Sequence, residues 1–329
     1  MEKLFEESGE MPVEENIPVS GVPEAPDGPE EKKINNRIRR GSMSVFKIVF
    51  CVILFVYSVS QLIPILWGVI TSLKTSSEFR HNVLGLPEDF TLQNYIQAFE
   101  LLYIDVSMGG GVTVRIRLAQ MFLYSLLYAG GCSIMATLTT CVMGYATAKF
   151  SKFKMSSVIY TIVVVAMVLP IIGNLPSEIQ MSRALGLYDT MWGIWIMKMS
   201  FLGMYFLVFN AMFKGIPQDY AEAAYLDGAS ELRIMVNIYF PLARYTFFTV
   251  LLLNFITYWN DYQIPLIYIP SYPTVAFGVF TYSNSNATMN SSVPSRITAS
   301  IIMLVPILIL FLIFHERLIG NVSMGGIKE

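Results

Sequence analysis

The sequence is short of charge. Only 14% of its 329 residues are charged, whereas a soluble domain has roughly 25%. Hydrophobic residues make up 54% of the chain, and its apolar runs of about 20 residues are long enough to cross a bilayer core. These features exclude a soluble globular protein and predict an all-α integral membrane protein.

Six membrane spans are predicted from the apolar runs, at about residues 45–72, 119–147, 157–176, 190–213, 245–268 and 297–316. Pro64, Pro170 and Pro306 lie within three of these spans and are expected to kink them. The first outer loop contains the apolar and aromatic segment FTLQNYIQAF, which suits a short helix along the membrane surface.

The loop cations predict the orientation of the spans. Lysine and arginine precede the first span and follow the second, fourth and sixth, whereas the opposite loops have fewer cations for their length. We therefore expect both termini to be cytoplasmic.

The amino terminus differs in composition from the rest of the chain. Residues 1–31 contain ten acids, one base and few apolar residues, which predicts disorder. The predicted organisation is an acidic cytoplasmic tail ending in a basic juxtamembrane segment (1–43), a six-helix transmembrane domain (44–320) that includes a cytoplasmic loop (214–244), and a short cytoplasmic tail (321–329).

Histidine is also scarce. The two histidines, His81 and His315, fall on opposite sides of the predicted membrane, and no catalytic or metal-ligand spacing is apparent. Gly320 and Gly325 are spaced as in a phosphate-binding loop, but Gly326 follows where that loop needs lysine. The sequence therefore predicts no catalytic residue, no metal site and no ATPase site on this chain.

Charges cluster in the cytoplasmic loop AEAAYLDGASELRIMVNIYFPLAR. Pro217 favours the start of a helix, and Gly228 is typical of a helix end. Ser230 is a good N-cap for a second helix, and Pro241 is expected to turn the chain into the fifth span. These residues predict a helix–turn–helix that docks another protein, with an ordinary amphipathic connector as the alternative.

This loop resembles the EAA loop of permease subunits in bacterial ABC importers. The family pattern is EAA, three residues, glycine, nine residues, isoleucine, one residue and LP. Residues 222–224, Gly228, Ile238 and Pro241 match it, while Phe240 stands where leucine is usual.

Further elements narrow the resemblance to the maltose-type carbohydrate permeases, and together they cover most of residues 45–328. They are LQNYIQAF, GYATAKF, LGLYDT, TYWNDYQIPL and the terminal GGIKE. Tyr124 is a departure, because many relatives have asparagine before the serine at this point.

The resemblance implies a type I ABC importer permease fold with a cytoplasmic coupling helix, in a bacterial plasma membrane. The subunit would form the translocation pathway with a second permease, receive an oligosaccharide from an extracellular solute-binding protein, and be driven by a cytoplasmic ATPase dimer. That ATPase would bind ATP and Mg, and this chain would hold no cofactor. ATPase coupling is assigned to Ala221, Glu222, Ala223, Ala224, Leu226, Asp227 and the hinge Gly228.

Polar residues within spans are functional candidates, and most of them here lie near the end of span five. Aromatic rings beside carboxylate and amide groups suit the CH face and hydroxyls of a sugar. The alternative is an interfacial aromatic belt. The candidate pathway residues are Asn254, Trp259, Asn260 and Asp261, together with Gln263. Lys198 in span four can either snorkel or pair with an acid.

Two other functions stay open at this point. An ABC permease for a phosphonate, polyamine or metal complex would share the loop, although WNDYQIPL and NYIQAF are more typical of carbohydrate permeases. A channel or secondary transporter carries its own energy coupling and needs no docking loop. The residues do not identify the sugar, the partner permease or the ATPase.

Overall fold

The computed structural model describes residues 29–107, 111–169, 173–284 and 292–322. The chain divides into two compact units, Met1–Ile63 and Pro64–Glu329. Most of the predicted acidic tail, Pro170 and most of the carboxy-terminal tail lie outside the described residues. In the first unit the chain is helical from Pro29, and its side chains between residues 45 and 63 are exposed and mostly apolar.

The described elements are mostly helical. They are α1 (Pro29–Ser72), α2 (Ser76–His81), α3 (Gln93–Leu101), β1 (Tyr103–Ser107), β2 (Thr113–Arg117), α4 (Leu118–Lys149), α5 (Lys154–Val168), α6 (Leu175–Ala184), α7 (Met191–Met197), α8 (Met204–Lys214), α9 (Asp219–Leu226), α10 (Glu231–Ile234), a π-helical turn (Met235–Tyr239), α11 (Phe240–Asn260), α12 (Gln263–Tyr268), α13 (Val275–Asn284) and α14 (Val293–Val322). Pro64 lies inside α1 and Pro306 inside α14.

Four helical stretches of the described chain are long and apolar enough to cross a membrane. They are Val45–Ser72, Leu118–Lys149, Glu231–Asn260 and Val293–Phe314. These stretches correspond to the predicted spans one, two, five and six. The stretch that corresponds to span five, Glu231–Asn260, begins and ends earlier than expected. It begins earlier because the second helix of the cytoplasmic loop continues directly into α11.

The other two predicted spans are shorter helices. The third, expected over 157–176, is helical as α5 up to Val168. The fourth, expected over 190–213, is interrupted between α7 and α8. Ser200 and Gly203 are poor helix formers in this gap, and the Ser200 hydroxyl accepts a hydrogen bond from the backbone N–H of Leu202 at 3.2 Å. The chain therefore does not run as one helix through this segment.

A β-hairpin in the first outer loop corrects the prediction of an all-α protein. Strands β1 and β2 pair antiparallel, with Ile104 opposite Ile116 and Val106 opposite Val114. Their sequences, YIDVS and TVRIR, alternate β-branched and polar residues, which is the pattern of a half-buried strand. The predicted short helix in the same loop is present as α3.

Helix α4 is the centre of the second unit and packs against both α8 and α11. A Cβ added at Gly144 would lie 2.6 Å from the Cβ of Phe209, so only glycine permits this approach of α4 to α8. The Asn210 side chain donates a hydrogen bond to the Thr147 hydroxyl at 2.8 Å across the same interface. Small residues and buried hydrogen bonds therefore hold the helices that carry the candidate sites.

Candidate functional site

The end of α9 is shaped by Gly228. This glycine has a φ of +73°, in the left-handed region. Its N–H donates to the Tyr225 carbonyl at 3.0 Å, and the N–H of Ala229 donates to the Ala224 carbonyl at 2.9 Å. These two bonds form a Schellman motif. The prediction that Gly228 ends the first helix of the loop is therefore confirmed.

The second helix of the loop begins after Ser230, at the N-cap position that was predicted, although its hydroxyl makes no capping bond. Instead, the Tyr225 hydroxyl donates a hydrogen bond to the Glu231 carboxylate across the turn. This bond raises the pKa of Tyr225 to about 12. The two helices of the loop are thus linked by a side-chain contact as well as by the glycine turn.

The prediction that Pro241 turns the chain is wrong. The helix continues from α10 through the π-helical turn into α11, and the N–H of Phe240 bonds to the carbonyl of Met235. The π-helical turn, which is wider than an α-helical turn, lies just before Pro241. Pro241 is therefore at the start of α11, where the missing N–H of proline is tolerated. The loop's second helix and the following span therefore form one continuous rod.

The seven predicted coupling residues lie together, but they do not share one face. Ala221 is buried in the core of the second unit, and Ala224 is half-buried. The other side chains in the set point to solvent: Glu222, Ala223, Leu226 and Asp227. Leu226 is 91% exposed, and Leu232 in the second helix of the loop is 68% exposed. Large exposed apolar side chains on both helices of one loop are typical of a protein-binding surface.

Lys149 at the end of α4 holds the start of this loop, a role that sequence reasoning missed. Its ammonium donates a hydrogen bond to the Ile216 carbonyl at 2.8 Å and lies 4.4 Å from the ring centroid of Tyr239. The Tyr145 and Tyr239 rings are 5.3 Å apart in the same cluster. A cation in the last turn of a helix is the only sequence signal for this contact.

The polar residues near the end of span five do not form one site. Trp259 is buried and its indole N–H donates to the Met303 carbonyl at 3.1 Å. Asn260 is exposed and donates to the Ile256 carbonyl of its own helix. Since Trp259 joins α11 to α14, its role in the described structure is packing.

Both carboxylate oxygens of Asp261 accept hydrogen bonds. One carboxylate oxygen accepts from the Tyr128 hydroxyl at 2.9 Å. The other accepts from the backbone N–H groups of Gln263 at 3.0 Å and Ile264 at 3.2 Å. The carboxylate thus ties the start of α12 to α4.

Asn254 lines a polar cavity between α4, α11 and the gap that separates α7 from α8. The cavity has a volume of about 280 Å³, and its lining is Ala136, Thr140, Met197, Lys198, Ser200, Leu202, Gly203, Tyr205, Asn254 and Tyr258. The Asn254 amide N–H donates to the Thr137 hydroxyl at 2.9 Å, which leaves its oxygen as an acceptor. Among the four candidate pathway residues, Asn254 lies in this lining while Trp259, Asn260 and Asp261 lie outside it.

Comparison with known proteins places this architecture among transport proteins. Residues 140–323 match the family described as "Binding-protein-dependent transport system inner membrane component". The chain is 25% identical to the diacetylchitobiose uptake system permease protein of Streptomyces coelicolor, covering 86% of this chain and 89% of the relative. It is also 25% identical to the arabinooligosaccharides transport system permease protein of Bacillus subtilis, covering 87% of this chain and 97% of the relative.

A solved structure has a similar fold. A chain of a bacterial ABC transporter involved in the import of the acidic polysaccharide alginate matches with a TM-score of 0.66 and 21% identity. The match covers 84% of this chain and 97% of that chain. At this identity the likeness concerns the fold.

Proposed function

Because the chain belongs to the family of binding-protein-dependent transport system inner membrane components, we propose that it is the permease subunit of a bacterial ABC importer for carbohydrate. The named activities of similar proteins, which include uptake of diacetylchitobiose and of arabinooligosaccharides, support an oligosaccharide as the solute. The observation that carries the proposal is the exposed, rigid α9 turn within the region that matches the family.

The α9 turn is the surface that an ATPase subunit would bind. Leu226 and Leu232 would enter a cleft on the ATPase, and Glu222 and Asp227 would pair with cations at its rim. ATP and Mg belong to that partner, and this chain binds neither. Burying the two leucines supplies apolar contact, while the acids set the orientation of docking.

Movement of the docked turn would reach the membrane by two connections. Along the chain, α10 continues through the π-helical turn into α11. Through space, Lys149 and the ring of Tyr239 join the loop to the end of α4. Closure of the ATPase dimer would therefore displace α4 and α11 together, which is the motion that alternating access requires.

The remaining assignments complete the importer. We assign α5 and the α7–α8 segment to spans three and four, giving six spans in the type I fold with both termini in the cytoplasm. A second, homologous permease would complete the pathway, and an extracellular binding protein would deliver the sugar. The cavity that Asn254 lines belongs to that pathway. Trp259 and Asp261 connect the surrounding helices, and Asn260 bonds within its own helix.

Charge reversal at Glu222 tests the docking role. We expect Glu222→Lys to lower sugar uptake by the complete transporter at least about tenfold, because a repelled charge at the ATPase surface costs about 1.4 kcal/mol or more. Stimulation of ATP hydrolysis by the sugar-loaded binding protein should be lost in parallel. Glu100→Lys, an exposed acid on α3, is the matched control and should leave both unchanged.

A second variant keeps this test decisive. Gly228→Pro should also uncouple hydrolysis from uptake, since proline cannot adopt the positive φ of the turn. Normal transport with both Glu222→Lys and Gly228→Pro would overturn the assignment of the loop.

A further inference from the structure

The polar cavity contains a lysine whose ammonium forms no salt bridge with a described residue. Lys198 is half-buried at the end of α7, and within the described residues its ammonium has no hydrogen bond or salt bridge. We propose that Lys198 binds an anionic group on the transported solute, so that the substrate is an acidic saccharide. This inference rests on the proposed function and adds the substrate class to it.

The cavity lies deep within the membrane-spanning part. Ala136 and Thr140 contribute α4 to its lining. Ala136 is about 27 Å along the helix from Leu118 and about 20 Å from Lys149, at 1.5 Å per residue. A cation at such depth is expensive unless it faces a partner or a water-filled cavity, so a lysine that is kept there indicates a solute or ion site.

The backbone beside Lys198 supports the same conclusion independently. Residues 198–203 interrupt the helix, although the surrounding sequence is apolar enough for a continuous span. At membrane depth, non-helical backbone is tolerated only where it is buried in protein or lines an aqueous cavity. Lys198, Ser200, Leu202 and Gly203 of this gap all line the cavity, which accounts for the interruption.

Three carboxylates of the second unit accept hydrogen bonds from groups other than Lys198. Asp261 is outside the lining, and its two oxygens accept hydrogen bonds from the Tyr128 hydroxyl and from backbone N–H groups at the start of α12. Glu178 accepts from the Tyr268 hydroxyl, and Asp189 accepts from Ser271. Lys198 is the one charged residue among the described lining residues, so its ammonium is the charge that faces the cavity.

The other lining groups suit a sugar that bears this anion. The Asn254 amide oxygen and the Ser200 hydroxyl can bond to sugar hydroxyls, and the rings of Tyr205 and Tyr258 present apolar faces to sugar CH groups. A volume of about 280 Å³ is close to the lower limit of ligand pockets, roughly 300 Å³. The cavity would therefore hold one acidic residue of the saccharide.

The test is uptake by the complete transporter of matched sugar pairs that differ in one carboxylate, beginning with radiolabelled cellobiose and cellobiouronic acid. The native complex should prefer the uronate. Lys198→Met should raise the KM for the uronate at least about tenfold, the effect of losing one charge-assisted hydrogen bond, and leave the neutral sugar within about twofold. Lys198→Arg should restore the preference in part, because it keeps the charge.

Controls separate this inference from a loss of folding. Lys152→Met removes an exposed lysine between α4 and α5 and should change neither sugar. Co-purification of the ATPase with each variant checks assembly, and Lys198→Gln replaces the methionine variant if that variant does not assemble.

The possible results also separate this inference from the proposed function. Preference of the native complex for neutral sugars, or an equal loss of both sugars in Lys198→Met, would overturn the role of Lys198 while leaving a carbohydrate importer. No uptake of any saccharide by the native complex would overturn the proposed function, and this inference with it.

Discussion

At the scale of single residues, Gly228 controls the angle at which α9 meets α10. A Cβ at this position would have no atom within 4 Å, so the requirement is for the backbone angle of +73° and not for space. Glycine adopts that angle freely, asparagine adopts it occasionally, and alanine is strained by about 1–2 kcal/mol. The hinge role that the sequence predicts for this glycine thus has a conformational cause.

A pair of substitutions separates conformation from size at this hinge. We expect Gly228→Ala to reduce sugar-stimulated ATP hydrolysis several-fold, because about 1–2 kcal/mol of strain opposes the turn that presents α9. Gly228→Asn, although larger, should retain most of the activity. Measurement of hydrolysis in the purified transporter checks both. An active alanine variant beside an inactive asparagine variant would show that side-chain volume matters instead.

At the scale of elements, the loop is joined to the membrane helices more firmly than its sequence indicates. The π-helical turn at Met235–Tyr239 lets α10 continue into α11 past Pro241. On the other side, Lys149 of α4 reaches the Ile216 carbonyl. Two membrane-length helices are therefore connected to the loop, one of them through a contact between residues 67 positions apart.

Removal of the Lys149 contact should loosen the loop. In Lys149→Met we expect faster amide hydrogen exchange across residues 215–228 and uptake lowered several-fold, since a charge-assisted hydrogen bond of about 1.5 kcal/mol is lost. Lys149→Arg should restore both in part. Lys154→Met, which removes an exposed lysine from the start of α5, is the control. Unchanged exchange in Lys149→Met would mean that α11 alone positions the loop.

At the scale of the whole molecule, the proposed topology puts the hairpin and the α9 loop on opposite sides of the membrane. Exposed residues suit a labelling test on both sides: Thr113 in β2 and Lys152 between α4 and α5. Cys132 and Cys141 are buried, whereas Cys51 is exposed, so the three native cysteines must first be replaced.

Cysteine labelling tests this topology directly. In a background with Cys51, Cys132 and Cys141 changed to alanine, Thr113→Cys should react with a membrane-impermeant maleimide in intact cells. Lys152→Cys should react only after the membrane is opened. The positive-inside distribution of lysine and arginine is the physical reason for this expectation. The reverse pattern of labelling would invert the proposed orientation and remove the loop from the ATPase.

The sequence by itself determined the properties that depend on local composition and spacing. Apolar runs predicted the long helices, because crossing lipid requires about 20 such residues in a row. Gly228 marked the end of α9, because few residues adopt its backbone angle. The hairpin was predictable in principle from the alternation in YIDVS and TVRIR, but the long apolar runs favoured an all-α protein, and this part of the outer loop was given no strand.

Only the tertiary structure decided which polar residues meet. Asn254, Trp259, Asn260 and Asp261 are close in sequence, yet they do not share a partner. Trp259 bonds to α14, Asn260 bonds within its own helix, and Asn254 and Asp261 bond to different residues of α4. Of the four, Asn254 lines the cavity with Lys198. Spacing along one helix sets the direction of each side chain but not what stands opposite it. The cavity, the gap between α7 and α8 and the Lys149 contact all depend on packing between distant segments, which local pattern does not encode.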